Sequence, residues 1–309
     1  MAKPAVVLIG ADKGGVGKTT VARTLLDYFS IRSIPTRAFD TEWPKGALKR
    51  FNYGSIDVVD VTSVADQMKI FDTIESSGTQ VTLIDVRSGL MSPTLRALRD
   101  IGFLDMSKSN QLSFLLFHIL GPSISSLDEI AETSHFLANA QYFIVKNFVN
   151  NTSFFEWDKI TYESYFKQIH HAVEIAVPKL NEMACEKVEL ASVPFGDFVA
   201  NKTATGTPAS NSFVLRGYVR HWLNNVFLEY DRVRLTDIVV GAAPREAASG
   251  MPAHGGAAAE SIDVGATSPK VTKQVTLDVS ATKVTPAKDD SAAKDAVAKS
   301  RQAPKGTDP

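Results

Sequence analysis

The chain of 309 residues has one cysteine, Cys185. A disulfide framework and a cysteine-rich metal site are therefore excluded within one chain, and a reducing cytoplasm is the natural setting. Charge of one sign is lacking as well. The 33 Lys+Arg residues face 34 Asp+Glu, a formal net charge of -1. That balance excludes a histone-like polycation and a polyanionic tail protein, but not a local basic patch. Long hydrophobic runs are missing. The most apolar stretch, Leu112 to Leu120, is about half of the roughly 20 residues that a bilayer helix needs. The opening apolar run, Ala5 to Gly10, is too short for the core of a signal peptide. No internal repeat is present. Aromatic residues fail at one end only: from Ala242 to Pro309 there is no Phe, Trp or Tyr, and nine Lys/Arg mix with eight Asp/Glu. Such a segment has little apolar surface to offset chain entropy, so we expect a disordered tail over 242–309.

What is present lies in residues 1–241. Hydrophobic residues make up 44% of the whole chain, enough for a sizeable core. Ala5 to Gly10 is a β-branched run that reads as a buried parallel strand, and Thr19 to Ser30 places Val21, Leu25, Leu26 and Phe29 at helical spacing. Further strands are expected at Arg37–Phe39, Val58–Val61, Val81–Asp85, Ser113–Ile119, Tyr142–Asn147 and Glu189–Val193. Helices are expected at Ser126–Asn139, at Tyr162–Glu186 with a kink at Pro178, and at Ser212–Asp231. Strands alternating with helices define an α/β fold, a mostly parallel sheet flanked by helices. Ligands of such sheets sit at the carboxyl ends of the strands, so the informative residues are those that follow strands.

The strongest pattern is Lys13-Gly14-Gly15-Val16-Gly17-Lys18-Thr19-Thr20, between a strand and a helix. Glycines let backbone N–H groups converge on phosphate oxygens, and a helix N-terminus adds partial positive charge. Lys18 is placed to reach the β- and γ-phosphates, and the Thr19 hydroxyl to coordinate Mg²⁺. The strict Walker pattern is not met, because its first glycine falls at Asp12 and Lys13 opens the loop instead. In this variant the chain resembles the deviant-Walker-A ATPases, the ParA partition proteins, MinD division-site proteins and their relatives. The resemblance implies a P-loop NTPase fold, ATP and Mg²⁺ as ligands, and an ATP-sandwiched homodimer in which Lys13 reaches the partner's nucleotide.

Three more places carry the resemblance, which spans about residues 4–200. Phe39-Asp40-Thr41-Glu42 stands where the family shows two aspartates. Asp40 matches the first. Glu42 replaces the second, which orients the attacking water, and is one methylene longer; catalytic geometry tolerates little displacement. An exposed acidic turn is the plain alternative for both. Val81 to Asp85 has the Walker B form, with Asp85 holding Mg²⁺ mostly through water. Arg87, where relatives often have proline, reads as a surface ion pair or a phosphate contact. Asn147 ends a strand where the family's asparagine reads the adenine edge, and it reads equally as a turn residue. The guanine-reading Asn-Lys-x-Asp order is absent, which favours ATP. Pro194 resembles the family's proline loop near the base.

Other features give less. The aromatic stretch Phe148 to Phe166 fits core or interface packing better than base stacking, because basic residues are sparse there. His170 and His171 are adjacent and point to different sides of a helix. Arg216 and Arg220 share a helix face, with His221, Arg232 and Arg234 near them. These allow non-specific DNA binding or a solvated face. By resemblance the chain is a slow, partner-stimulated switch ATPase that positions DNA cargo in plasmid partition, stability or conjugative transfer, with a small DNA-binding or transfer-machinery partner. Two alternatives stay open: a small-molecule kinase or ligase resembling dethiobiotin synthetase, and a non-hydrolysing nucleotide-bound scaffold. The tail lacks the bulky amphipathic helix that MinD-like membrane docking needs.

Overall fold

The computed structural model describes residues 3–137, 140–149, 152–156, 159–165 and 172–241. The tail expected over 242–309 lies outside the described residues, as do Trp157, Phe166, His170 and His171. Seven strands form one sheet: β1 (Ala5–Gly10), β2 (Thr36–Asp40), β3 (Ile56–Val58), β4 (Val81–Asp85), β5 (Ser113–Leu120), β6 (Gln141–Asn147) and β7 (Ala172–Val177). Their order is β3-β2-β4-β1-β5-β6-β7, and every neighbouring pair is parallel. Ten helices are described: α1 (Lys18–Ile31), α2 (Val64–Phe71), α3 (Met91–Asp100), α4 (Phe103–Lys108), α5 (Ile124–Ser134), α6 (Lys159–Tyr165), α7 (Glu182–Ala191), α8 (Phe195–Val199), α9 (Phe213–Arg232) and α10 (Leu235–Val240). Among the described residues, no helix is long and apolar enough to cross a membrane.

The two-residue period of a strand divides the core. On β1, Val7 and Ile9 join Leu83, Leu115 and Phe117 on the face covered by α1 and α7–α10. Val6 and Leu8 join Ile84, Phe114 and Leu116 on the face covered by α2–α5. Both faces are dry, so the central strands are continuous apolar runs, as a parallel sheet requires. The two sides of the sheet part at β1, whose neighbours are β4 and β5. That is the topological switch point where a crevice opens at the carboxyl edge.

The structure corrects the reading of residues 162–193. In place of one kinked helix there are α6, the strand β7 and α7. Ala172 to Val177 carries β-branched residues at 173, 175 and 177, and this alternation prevails over the helical spacing around it. Pro178 ends that strand, and the Asn181 side chain caps α7 by accepting from the Ala184 N–H. Glu189 to Val193, expected as a strand, is the last turn of α7 and its exit, where Ser192 adopts φ 52°. β3 lies at 56–58, slightly before the expected 58–61.

α1 is clamped to α8 by a buried carboxylate. Asp27 accepts from the Tyr53 hydroxyl (2.6 Å), the Phe195 N–H (3.1 Å) and the Gly196 N–H (3.1 Å). Burial outweighs these donors and pushes its carboxyl up to about 6. Between about pH 4, where the unfolded carboxyl titrates, and pH 6 the folded chain keeps a proton that the unfolded chain releases. This group's contribution to stability therefore falls as pH rises through that window. Asp27→Asn cannot ionise, so the change in its unfolding free energy between pH 4 and 7 should differ from the wild type's by roughly 2 kcal/mol. Urea denaturation at the two pH values measures this, and equal changes in both proteins would refute it.

Candidate functional site

The loop between β1 and α1 is shaped by its glycines and held from beneath. Gly15 and Gly17 adopt φ 74° and 89°, in the left-handed region that side chains avoid. A Cβ on Gly17 would meet the Asn147 Nδ2 at 2.1 Å. Asn147, at the end of β6, donates from that nitrogen to the Val16 carbonyl (2.7 Å) and is only 4% exposed. The amide nitrogen expected to face an adenine is thus engaged in bracing the loop. α1 follows Gly17, which offers no side-chain cap, and has no acidic residue in its first turn. Its leading N–H groups, with those of the loop, form a donor set suited to an anion.

Asp12, which stands in place of the Walker glycine, anchors the loop to a neighbouring helix. Its Oδ1 accepts from the N–H groups of Met91 (2.9 Å) and Ser92 (3.3 Å) at the start of α3, and its Oδ2 accepts from the Ser92 hydroxyl. Its own N–H donates to Glu129 Oε2 (2.9 Å). The same oxygen lies 3.3 Å from His118 Nε2, and His118 Nδ1 is 2.7 Å from the Tyr142 hydroxyl. This buried chain joins the loop to α5, β5 and β6. Sequence reasoning missed it, although a histidine in the middle of the apolar Ser113–Leu120 run was a visible signal.

Around the loop lies a cavity of about 370 Å³ lined by Gly15, Gly17, Lys18, Thr19, Thr20, Asp40, Glu42 and Asp85 to Ser88. Lys18 is 8% exposed and points its ammonium at Ser88 Oγ (2.6 Å) and the Lys13 carbonyl (3.3 Å). Burial holds its pKa below the ordinary lysine value, against the pull of Asp85, Glu129, Glu42 and Asp12. Thr19 donates to Asp85 Oδ2 (2.8 Å). Asp85 Oδ1 is buried without a hydrogen-bond partner, and burial pushes the carboxyl up to about 7. A carboxylate oxygen with nothing to accept from, next to a threonine hydroxyl, suits a divalent cation. Among the described residues there is no group of three or more His, Cys, Asp or Glu that could hold a metal by itself. An ion here needs phosphate oxygens or water as its remaining ligands, which is how Mg²⁺ binds.

The structure does not group the remaining expected residues so closely. Asp40 lines the cavity, but it is 1% exposed and its carboxylate accepts from the N–H groups of Glu42 (2.9 Å), Leu48 (2.6 Å) and Lys49 (3.1 Å). It organises the loop after β2. Glu42 stands exposed at the cavity rim. Lys13 turns to the start of α5, with its ammonium on Ser123 Oγ and 3.5 Å from Ser125 Oγ. Gly14 is exposed, 3.6 Å from Ser88 Oγ as measured from its would-be Cβ. Pro194 is corrected in place: it follows α7, not a strand, and lines a separate cavity with Leu26, Asp27 and Arg220. The proline that does follow the last strand is Pro178. Of the basic residues near α9, Arg232 pairs with Glu229, Arg234 with Asp237, and Arg216 donates to the Val199 carbonyl.

A seven-stranded parallel sheet between two helical layers, with a Gly-Lys-Thr loop after its central strand and a Thr/Asp pair beside it, is a P-loop α/β architecture. No protein-family model matches the chain, and no curated protein does. Solved structures that resemble it include a ParA family ATPase from Chlorobium tepidum TLS, 15% identical with a TM-score of 0.44, covering 72% of this chain and 98% of that one. The MinD cell division protein of Aquifex aeolicus is 15% identical with a TM-score of 0.43, covering 72% of this chain and 97% of that one. A nucleotide-binding protein from Archaeoglobus fulgidus, in complex with ADP, is 13% identical with a TM-score of 0.41, covering 61% of this chain and 87% of that one. At these identities function has to be argued from the site's own residues.

Proposed function

We propose that residues 1–241 form an ATP-dependent switch ATPase of the ParA/MinD type, with 242–309 as an appended tail. The observation that carries this reading is the cavity itself, where Lys18, Thr19, Asp85 and an uncapped helix start converge. The loop and α1 donate to the phosphates, Lys18 neutralises their charge, and Thr19 with Asp85 holds Mg²⁺. An ion held by Thr19 and Asp85 would withdraw charge from the phosphate oxygens. Lys13 sits on the loop's flank with serine hydroxyls as its partners, which it can exchange for the nucleotide of a second copy. ATP then closes a homodimer, and hydrolysis reopens it. Because three of the basic residues near α9 are already paired or bonded, we assign DNA cargo to a small partner protein of partition or transfer machinery.

The test is the solution mass with Mg-ATP, with Mg-ADP and without nucleotide, for the wild type and Lys13→Ala. We expect a dimer with Mg-ATP alone, lost in Lys13→Ala although that variant still binds ATP. An unchanged monomer that binds ATP would overturn the dimer and favour a small-molecule kinase or ligase. Hydrolysis rests on a single side chain, Glu42, one methylene longer than the aspartate it replaces. Asp40 is committed to backbone donors, which leaves Glu42 as the acidic side chain free to orient a water. If single-turnover assays show a dimer that does not hydrolyse ATP, the chain is a nucleotide-bound scaffold.

A further inference from the structure

We propose that Arg87 reads the terminal phosphate of the nucleotide from within the same chain, an inference that rests on the nucleotide reading above. Arg87 follows β4 two residues after Asp85 and lines the 370 Å³ cavity beside Lys18, Thr19 and Glu42. Its backbone is fixed on both sides. Its N–H donates to Thr41 Oγ1 (2.8 Å), and its carbonyl accepts from the Leu90 N–H (3.1 Å). Thr41 is itself 2% exposed, and its N–H donates to the Asp85 carbonyl (3.0 Å). The base of the side chain is thus tied to the end of β4 and to the buried start of the β2 exit loop. The side chain beyond it is exposed, and among the described residues its guanidinium has no hydrogen bond or ion pair. A surface ion pair, the simpler expectation for this residue, is not what the structure contains.

The direction follows from the Thr19–Asp85 pair. A divalent ion held by Thr19 and Asp85 would need phosphate oxygens or water as its remaining ligands, which would draw the phosphates of a nucleotide to this side of the cavity. The phosphate chain would then run toward the end of β4, where Arg87 is anchored. The guanidinium has five donors in a planar fork that matches phosphate oxygens two at a time, and it stays charged at any working pH. Lys18 enters the cavity from the loop side, with its ammonium on Ser88 Oγ, and Lys13 is engaged at α5. Arg87 is the cation on the β4 side of this cavity. It supplies discrimination between triphosphate and diphosphate before any second chain arrives.

The test is calorimetric binding of a non-hydrolysable ATP analogue and of ADP, each with Mg²⁺, to the wild type, Arg87→Ala, Arg87→Gln and Arg87→Lys. Arg87→Ala and Arg87→Gln should bind the analogue at least tenfold more weakly and ADP within twofold of the wild type. Arg87→Lys should recover part of the loss, because it restores the charge without the fork. Equal weakening of both ligands, or no change in either, would overturn the assignment while leaving the P-loop intact. A wild type that binds neither ligand would instead overturn the nucleotide reading, and this one with it. Arg87→Gln guards against misfolding, since it keeps most of the side chain's length and its backbone anchors.

Discussion

Replacing Lys18 by alanine should weaken ATP binding roughly 100-fold, about 3 kcal/mol, and leave the melting temperature almost unchanged. The two halves of this expectation have one cause. Lys18 is a cation in a mostly buried cavity, where desolvation already presses against its charge. Its neighbours in the free chain are a serine hydroxyl and a carbonyl, so the fold gains little from it. Phosphate oxygens are a far better partner, since they add the attraction of opposite charges in a partly dry site to the hydrogen bond. Removing the ammonium relieves a desolvation cost in the free chain and forfeits the main attraction in the bound one. Calorimetry with Mg-ATP and a thermal melt on the same samples check both halves. Retained affinity would mean that the loop is a glycine-rich turn with another purpose.

The legibility of this site in the sequence followed the range of its interactions. The Lys13–Thr20 loop was readable because strand, loop and helix succeed one another within a few residues, and each element's requirement is local. Asp85 was readable because a buried strand with an acid at its end has few uses. Asp12 was not: its partners are Met91 and Ser92, far along the chain, and no local rule tells an anchoring aspartate from a lost glycine. The Asn147 amide was placed at the right strand end, while its contact with Val16 depends on β6 lying two strands from β1. β7 was hidden because Ala172–Val177 satisfies two periods at once, and its place at the sheet edge leaves four of its six residues partly exposed. Pro194 was misplaced as a consequence, since the strand thought to precede it is the end of a helix. Local pattern identified the phosphate loop, and long-range pairing decided what holds it.

Arg23→Ala should have the opposite profile to Lys18→Ala, destabilising the fold by about 3 kcal/mol and leaving nucleotide affinity near its original value in the folded protein. Arg23 is on α1, five residues after Lys18, and is 1% exposed. Its guanidinium lies between the rings of Phe51 (3.5 Å) and Phe195 (4.0 Å), bonds Glu189 Oε1 (2.5 Å) and donates to the Val193 carbonyl (3.3 Å). Truncation removes two desolvated cation–π contacts and opens a void between α1, α7 and α8. Breaking a buried ion pair costs about 3–5 kcal/mol when it strands the partner charge. Here the lower end applies, because Glu189 is partly exposed and keeps Arg50 as a partner. In a folded unit of this size, about 3 kcal/mol lowers the melting temperature by roughly 6–12 °C. Arg23→Met, which retains most of the volume, should cost much less, because Arg23 Nε is already buried without a partner. The two alanine variants together test whether α1 has separate ends, one binding phosphate and one holding the fold. If Arg23→Ala lost affinity as steeply as stability, the loop geometry would depend on the far end of α1, and the Lys18 result could no longer be assigned to the ammonium alone.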